Sequence, residues 1–340
     1  MIVGMTYDLR DDYLAEGFTP EEAAEFDRRE TIDGIRETLE SLGYETDPIG
    51  HVRNLTRRIA AGKSWDLVFN IAEGLKGFAR EAQVPALLEA HGIPYTFSDP
   101  MVLALTLHKG MTKRVIRDAG LATPDFRILE DLEDVGSVDL AYPLFAKPVA
   151  EGTGKGINAA SKITNRDELA LVCEMLLRVH DQHVIVETFL PGREFTVGIL
   201  GNGKGAVAVG VMEVILGAKA EPEVYSFWNK EKFKELVSYR LVDDLEALQA
   251  KELALQAYRC LGCRDAARVD LRSDALGNPQ FMEINPLPGL HPEHSDLPIL
   301  CEMAGMSYRE LIGRIMDSAF SRLRPSPALK RAVTAAGGKH

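Results

Sequence analysis

The sequence has none of the long apolar segments that mark a membrane protein, and it has little cysteine. Its 340 residues contain no run of about 18 apolar residues, so we expect no membrane-spanning helix. The first residues have neither the basic region nor the long apolar region of a signal peptide. Four cysteines are too few for a disulfide framework. Together these absences predict a cytoplasmic protein with no membrane partner.

Positive charge is outnumbered by negative charge. Lys and Arg total 39 and Asp and Glu total 51, which gives a formal net charge of -12. Such a balance argues against nucleic acid as a partner, although a few well-placed cations can still form a pocket for a small anion. The hydrophobic share of 46% is enough to bury a core, and the length predicts two or three domains.

The first third of the chain alternates strand and helix patterns. Apolar runs at 2–5 and 65–71 predict buried strands. Between them, apolar residues recur at helical spacing, as at Ile32, Ile35 and Leu39. Alternation of this kind predicts a doubly wound, parallel sheet, which is the α/β class.

The rest of the chain predicts an α+β arrangement. Helices are predicted at 167–179 and around Leu253, Ala257 and Leu261. The runs that predict strands lie at 144–148, 184–186, 195–200, 206–211, 266–271 and 281–284. Residues 324–340 have no such pattern and are expected to be a flexible tail.

Two strand-like segments near the end of the chain carry polar residues at alternate positions. Arg268 and Asp270 stand on one segment, and Glu283 and Asn285 on the next. Residues two apart in a strand share a face, and the turn-forming residues between the segments predict a hairpin. Asp270, Glu283 and Asn285 would then converge as oxygen ligands of the kind that Mg²⁺ prefers, beside Arg268. The alternative is an ordinary hairpin with one exposed polar face.

A lysine in an apolar strand precedes a glycine-rich loop. Lys147 lies in the strand predicted at 144–148, where a lysine without a partner is costly and a bound phosphate would stabilise it. Gly152, Gly154 and Gly156 follow, and their backbone N–H groups are suited to an anion-binding nest. The order of residues differs from that of the P-loop, so a flexible loop without a ligand is the alternative interpretation.

Three shorter signals have two interpretations each. Glu187 ends an apolar run, where it can accept from an adenine amine or a ribose hydroxyl, or begin an exposed turn. His291 and His294 lack the further ligands of a zinc site. Cys260 and Cys263 form a single C-x-x-C pair, for which core packing is the favoured interpretation. No G-x-G-x-x-G follows the first strand, which argues against a dinucleotide-binding dehydrogenase.

Taken in order, these segments resemble the ATP-grasp superfamily and, within it, the D-alanine–D-alanine ligase family. The resemblance rests on DLVFNIAEG (66–74), GIPYTFS (92–98), HKGMTK (108–113) and the segments 145–157, 184–198 and 267–298. It implies an ATP-grasp fold of three domains, with ATP between the central and C-terminal domains. The implied divisions are a doubly wound substrate domain (1–105), a central ATP-grasp subdomain (106–190) and a C-terminal ATP-grasp and metal-binding domain (191–323).

The resemblance implies a set of ATP-contacting residues. Phosphate contacts are implied for Lys109, Lys147 and Lys230 and for a glycine-rich loop. Lys230 belongs to a segment that caps ATP. The loop residues are Gly152, Thr153, Gly154, Lys155 and Gly156. Adenine and ribose contacts are implied for Glu187, Phe189, Leu190 and Glu194.

The resemblance also implies metal ligands, catalytic residues and part of a substrate site. Two Mg²⁺ ions, with Mn²⁺ as an alternative, are implied at Asp270, Glu283 and Asn285. The implied catalytic residues are Arg268, which stabilises a tetrahedral intermediate, Lys230 and Thr153. Gly289 and Ser295 match positions near the carboxylate of the acceptor.

The implied reaction joins two small molecules. A substrate carboxylate attacks the γ-phosphate of ATP to give an acyl phosphate, and the amine of a second substrate then displaces phosphate. A homodimer and a role in cell-wall synthesis are implied as well. The alternatives are a ligase of other amino acids or small acids, in secondary metabolism or peptide modification, and a nucleotide-binding module without catalysis.

The positions expected to bind the first substrate depart from the family pattern. Residues 5–10 replace a Gly-Gly-x-Ser loop and its following glutamate, and Glu73 replaces the histidine of a His-Gly pair. Phe78-Ala79 replace an acidic pair, and Thr153 and Glu231 replace a serine and a tyrosine of one network. These departures put free D-alanine as the donor in question and favour another amino acid or a small acid, with D-alanyl-D-alanine kept as the alternative product. The pocket for the donor is expected to be lined by Tyr7, Arg10, Glu73 and Arg80.

Overall fold

Three β-sheets organise the residues that the computed structural model describes, 1–20, 22–152, 154–217 and 236–323. The first sheet contains the parallel strands β1 (Ile2–Thr6), β2 (Glu45–Pro48) and β3 (Leu67–Asn70), in the order β2-β1-β3. Helices α1 (Arg10–Ala15), α2 (Arg29–Ser41), α3 (Val52–Ala60), α4 (Gln83–Ala90) and α5 (Pro100–Leu107) alternate with and follow these strands. The parallel sheet predicted for the first third is confirmed.

Burial explains why these residues form these elements. All four residues of β3 are buried, as expected for a parallel strand that helices cover on both faces. On α2, the buried side chains include Ile32, Ile35 and Leu39, which recur at helical spacing. Gly43 follows this helix with a φ of +91°, a conformation that favours glycine and ends helices.

The second sheet is antiparallel and lies in the middle of the chain. Its strands are β4 (Phe126–Leu129), β5 (Leu144–Pro148), β6 (Lys162–Ile163) and β7 (Val184–Thr188), in the order β4-β7-β5-β6. Helix α6 (Lys109–Asp118) precedes it, and α7 (Arg166–His180) packs Leu169 and Leu176 into one core with Leu144 and Ala146. Strand β4 was not predicted, because its alternation is only four residues long.

The third sheet carries the predicted hairpin. Its strands are β8 (Glu194–Leu200), β9 (Val207–Leu216), β10 (Val237–Leu241), β11 (Ala266–Ser273) and β12 (Pro279–Asn285), in the order β10-β9-β8-β11-β12. Helix α8 (Leu245–Leu261) covers it, and the predicted stripe of Leu253, Ala257 and Leu261 is buried. Strands β11 and β12 pair antiparallel, so the hairpin is confirmed.

The last two described helices return to the first sheet. Helices α9 (Asp296–Met303) and α10 (Tyr308–Arg322) were not predicted. Ile312 and Ile315 of α10 belong to the same core as Val3 and Met5 of β1. Residues from both ends of the chain therefore share one core, and the division at 105, 190 and 323 stays a prediction.

Two expectations from the composition concern the whole fold. None of the helices in the described ranges is long and apolar enough to cross a membrane. The four cysteines are free thiols, with Cys260 exposed and Cys263 buried. The predicted tail, 324–340, lies outside the described residues.

Candidate active site

The hairpin of β11 and β12 brings the predicted polar residues together. Asp270 lies directly opposite Glu283, and Arg268 opposite Asn285. The guanidinium of Arg268 donates to Asp270 Oδ2 at 3.1 Å from Nε and to Asp296 Oδ2 at 2.7 Å from Nη1. Asp270 also accepts from the Thr196 hydroxyl at 2.9 Å. The sheet register therefore fixes two carboxylates, an amide and an arginine at one place.

The donor set of this hairpin suits a hard cation. Two carboxylates and the amide oxygen of Asn285 are ligands that Mg²⁺ accepts, with water and substrate phosphates completing its shell. Within the described ranges, no cluster of three or more His, Cys, Asp or Glu side chains could hold a metal. His291 and His294 form a ring pair, with centroids 4.5 Å apart, and the Nδ1 of His291 accepts from the backbone N–H of Glu293. The donor set of the hairpin thus fits Mg²⁺.

Three buried lysines lie next to this hairpin. The Nζ of Lys109 donates to the carbonyl of Glu151 at 2.6 Å and lies 3.4 Å from Glu283 Oε2. Lys147 lies 2.8 Å from one oxygen of Glu187, and Lys113 lies 2.9 Å from the other. Lys113 was missed by the sequence analysis, although its helix position four residues after Lys109 puts both on one face.

Glu187 is fully buried, so the alternative interpretation of an exposed turn was wrong. Its carboxylate lies between two lysines, and the predicted adenine contact stays a prediction. Burial opposes its charge, but Lys113 and Lys147 outweigh burial and lower its pKa. Burial lowers the pKa of Lys113 to about 8. For Lys147, the attraction of Glu187 and other carboxylates outweighs burial and raises the pKa.

A small cavity of about 80 Å³ lies between the second and third sheets. It is lined by Phe145, Lys147, Ile157, Glu194, Thr196, Asp270, Leu271, Arg272, Met282, Glu283 and Asp296. Apolar side chains, a carboxylate at the start of β8 and a lysine together suit a nucleoside with phosphates. Phe189 and Leu190 are buried, but they do not line this cavity. The nucleotide contacts implied for these residues stay predictions.

The glycine-rich loop follows β5. Gly154 and Gly156 have φ values of +77° and +72°, and a Cβ on Gly156 would stand 2.7 Å from Pro148. Glycine is therefore required at 156 for both conformation and space. Thr153, Lys230 and Glu231 lie outside the described residues, so their predicted roles have no structural account.

A larger cavity of about 300 Å³ joins the loops after the first sheet to the hairpin. The residues that line it include ten of the predicted site residues: Arg10, Glu73, Arg80, Lys109, Gly152, Arg268, Glu283, Asn285, Gly289 and Ser295. Tyr7 is not among the lining residues, because its half-buried side chain packs against the core of the first sheet. On the opposite wall, the Ser295 hydroxyl accepts from the backbone N–H of His291 at 2.9 Å. A Cβ on Gly289 would lie 2.8 Å from that hydroxyl.

The wall on the first-sheet side carries carboxylates that the sequence analysis missed. Glu25, Asp27 and Glu81 line the cavity together with Glu73. Burial raises the pKa of Asp27 and of Glu81 to about 7 in each case. Burial, with the nearby charges of Glu81 and Glu25, also raises the pKa of Glu73. These residues come from separate segments of the chain, so no single sequence motif predicts them.

Comparison with known proteins agrees with this geometry. The family model described as D-ala D-ala ligase C-terminus matches residues 115–317, which is more than half of the chain. The chain belongs to the D-alanine–D-alanine ligase family. The ligase of this name from Cupriavidus taiwanensis is 33% identical over 302 residues, covering 86% of this chain and 88% of its own. That of Bordetella petrii is 34% identical, with 87% and 88% covered.

Solved structures show the same fold. The D-alanine–D-alanine ligase of Bacillus anthracis complexed with ATP superposes with a TM-score of 0.70 at 23% identity, over 94% of this chain and 98% of its own. The VanG D-Ala:D-Ser ligase of Enterococcus faecalis gives 0.71 at 21% identity, over 94% and 99%. The ATP-grasp fold is confirmed. As a member of this family, the protein is an ATP-dependent ligase that forms an amide bond.

Proposed function

We propose that this ligase activates a carboxylate donor other than free D-alanine and joins it to the amine of an amino-acid acceptor. The observation that carries the proposal is the asymmetry of the 300 Å³ cavity. Arg268, Gly289 and Ser295 line it on the acceptor side, where the family resemblance implies them. On the donor side the wall is built from Arg10, Glu73 and Arg80 and further carboxylates, which do not follow the family pattern.

The first step needs charge neutralisation and alignment more than covalent help. Lys109 and Lys147 supply positive charge on the second-sheet side, and backbone N–H groups of the glycine-rich loop can donate to phosphate oxygens. Asp270, Glu283 and the amide oxygen of Asn285 would hold Mg²⁺, which neutralises phosphate charge when bound. The donor carboxylate, held in the larger cavity, would then attack the γ-phosphorus while ADP leaves.

The second step is attack of the acceptor amine on the acyl carbon. Arg268 points its guanidinium at Asp270 and Asp296 from the cavity wall. A positive group there can stabilise the oxyanion that forms as the amine adds. Ser295 and Gly289 stand on the same wall and are suited to the acceptor carboxylate. Free thiols and the need for ATP support the cytoplasm as the site of this reaction.

Trapping with hydroxylamine tests the donor directly. The protein is incubated with ATP, MgCl₂ and hydroxylamine, plus one candidate from a panel of D- and L-amino acids and small acids. Hydroxylamine takes the place of the acceptor amine, so each accepted donor yields a hydroxamate, ADP and phosphate. We expect the best hydroxamate yield from a donor other than D-alanine. A hydroxamate from D-alanine alone would refute the altered donor and favour the activity named for the curated relatives.

A further inference from the structure

We propose that Glu25 and Arg80 act as a pair of positioning residues that hold the glycine-rich loop from the donor side of the cavity. The role concerns the same site as the proposed function and rests on it. Neither residue belongs to the glycine-rich loop or to the hairpin, and both come from the first third of the chain. What joins them to the loop is a set of short contacts to its backbone.

Three consecutive backbone groups after β5 are held by three charged side chains. The carbonyl of Ala150 accepts from Arg80 Nη1 at 2.9 Å. The carbonyl of Glu151 accepts from Lys109 Nζ at 2.6 Å. The N–H of Gly152 donates to Glu25 Oε1 at 2.6 Å. Two of the three holding groups therefore come from the donor wall, and they fix the direction in which the loop leaves its strand.

The pair itself is buried and directly bonded. Glu25 Oε2 lies 2.8 Å from Arg80 Nη2, and the two side chains are 7% and 9% exposed. Each residue thus uses one part of its polar head for its partner and the other for the loop. Burial opposes the charge of Glu25, but Arg80 and Lys155 outweigh it and lower its pKa, so Glu25 stays ionised near neutral pH.

A glycine of the loop lies against the carboxylate of the pair. A Cβ on Gly152 would lie 2.9 Å from Glu25 Oε1, closer than ordinary contact. Further along the loop, Lys155 Nζ lies 3.7 Å from Glu25 Oε1 and 3.4 Å from Glu151 Oε2. The same carboxylate therefore contacts the loop at two places. An apolar contact of equal size could stabilise the fold as well, but it would not fix the direction of a backbone N–H.

The pair also faces the place where the donor would bind. Glu25, Arg80 and Gly152 line the 300 Å³ cavity together with Glu73. A donor bound there would touch the groups that hold the loop. In-line transfer requires the donor carboxylate and the phosphate-binding groups in one fixed geometry. The pair contacts the backbone of the loop and also lines the cavity, so it would position the phosphate-binding loop relative to the donor.

Limited proteolysis measures the position of the loop without any substrate. Trypsin cleavage after Lys155 is followed by mass spectrometry, relative to cleavage at all other sites, in the wild type and in Glu25→Gln, Arg80→Met and Gly152→Ala. We expect relative cleavage after Lys155 to rise about tenfold or more in all three, because each releases the first turn of the loop. Asp265→Asn is the matched control, since Asp265 is buried and paired with Arg322 away from the loop.

The control separates positioning from stability. Asp265→Asn should lower the unfolding midpoint and leave the relative cleavage after Lys155 unchanged. Equal relative cleavage in the wild type and the three loop variants would overturn the proposal, whatever their midpoints. In the ligase assay with the best donor, we expect kcat of Glu25→Gln to fall up to about 100-fold, with Arg80→Lys between wild type and Arg80→Met. A wild type without donor activity would refute the proposed function alone, since the cleavage test needs no donor.

Discussion

The two walls of the larger cavity differ in how their buried charged side chains are paired. On the hairpin side, opposite charges alternate at short range: Arg268, which lines the cavity, lies between Asp270 and Asp296. Glu187, which does not line this cavity, lies between Lys113 and Lys147 in the same way. On the donor side, Glu25 and Arg80 form a buried ion pair, and burial raises the pKa of the neighbouring carboxyls of Asp27 and Glu81. The hairpin side therefore holds alternating charges, whereas carboxylates outnumber cations among the residues that line the donor side.

The largest effect is expected where the paired charges are most deeply buried. Glu187→Gln removes the carboxylate that Lys113 and Lys147 share, and leaves two buried lysines without a counter-charge. We expect a loss of about 3–5 kcal/mol in the free energy of unfolding, measured by urea denaturation. Glu310→Gln is the control, since it breaks an exposed pair with Arg314. It should change the free energy by less than about 1 kcal/mol.

The next effect tests the chemistry of the hairpin side. Arg268→Ala removes the guanidinium that the cavity offers to an oxyanion, and we expect kcat for amide formation to fall about 10²–10³-fold. The assay follows product by mass spectrometry and ADP by a coupled reaction. The exposed Arg314→Ala serves as the control. If Arg268→Ala consumed ATP and formed product at the wild-type rate, the assignment of this arginine would be wrong.

A smaller effect is expected on the donor wall. Glu73→Gln keeps the size of the side chain and removes a carboxyl whose pKa burial raises and which the ammonium of a bound amino-acid donor would hold ionised. We expect kcat/KM for an amino-acid donor to fall about tenfold or more, because a hydrogen bond between an ammonium and a carboxylate is lost. The KM of the acceptor should not change. An equal effect on donor and acceptor would show that the two walls do not divide the substrates between them.

A further effect is a pH dependence of stability on the donor wall. Burial raises the pKa of Asp27 to about 7, so the folded state binds more protons than the unfolded state below that pH. This contribution to stability is lost as pH rises toward 7. Asp27→Asn should therefore be nearly neutral near pH 4 and raise the unfolding midpoint above pH 7, measured by thermal denaturation. A gain that is largest in acid would contradict the sign of this shift.

The hairpin side could be predicted from sequence because its information is local. Alternation within β11 and β12 placed Arg268, Asp270, Glu283 and Asn285 on one face, and the register confirmed that placement. The glycine-rich loop followed its lysine strand for the same reason. Neighbouring positions along the chain were enough for both features.

The donor side could not be predicted in the same way. Glu25, Asp27 and Glu81 meet Arg10 and Glu73 only through packing of distant segments. The pairing of Glu187 with two lysines also has a long-range cause, since Lys113 reaches strand β7 from helix α6. Helices α9 and α10 were missed because their partners lie at the opposite end of the chain.

Product formation from defined pairs of amino acids tests the central claim most directly. The wild type is given ATP, MgCl₂ and D-alanine alone, and in parallel the same acceptor with the best donor from the hydroxamate panel. Amide product and phosphate are quantified together. The account predicts equal amounts of amide and phosphate, with kcat/KM at least about tenfold higher for the other donor than for D-alanine. D-alanine alone supporting the highest kcat/KM would contradict the claim that the two walls of the cavity have different specificities.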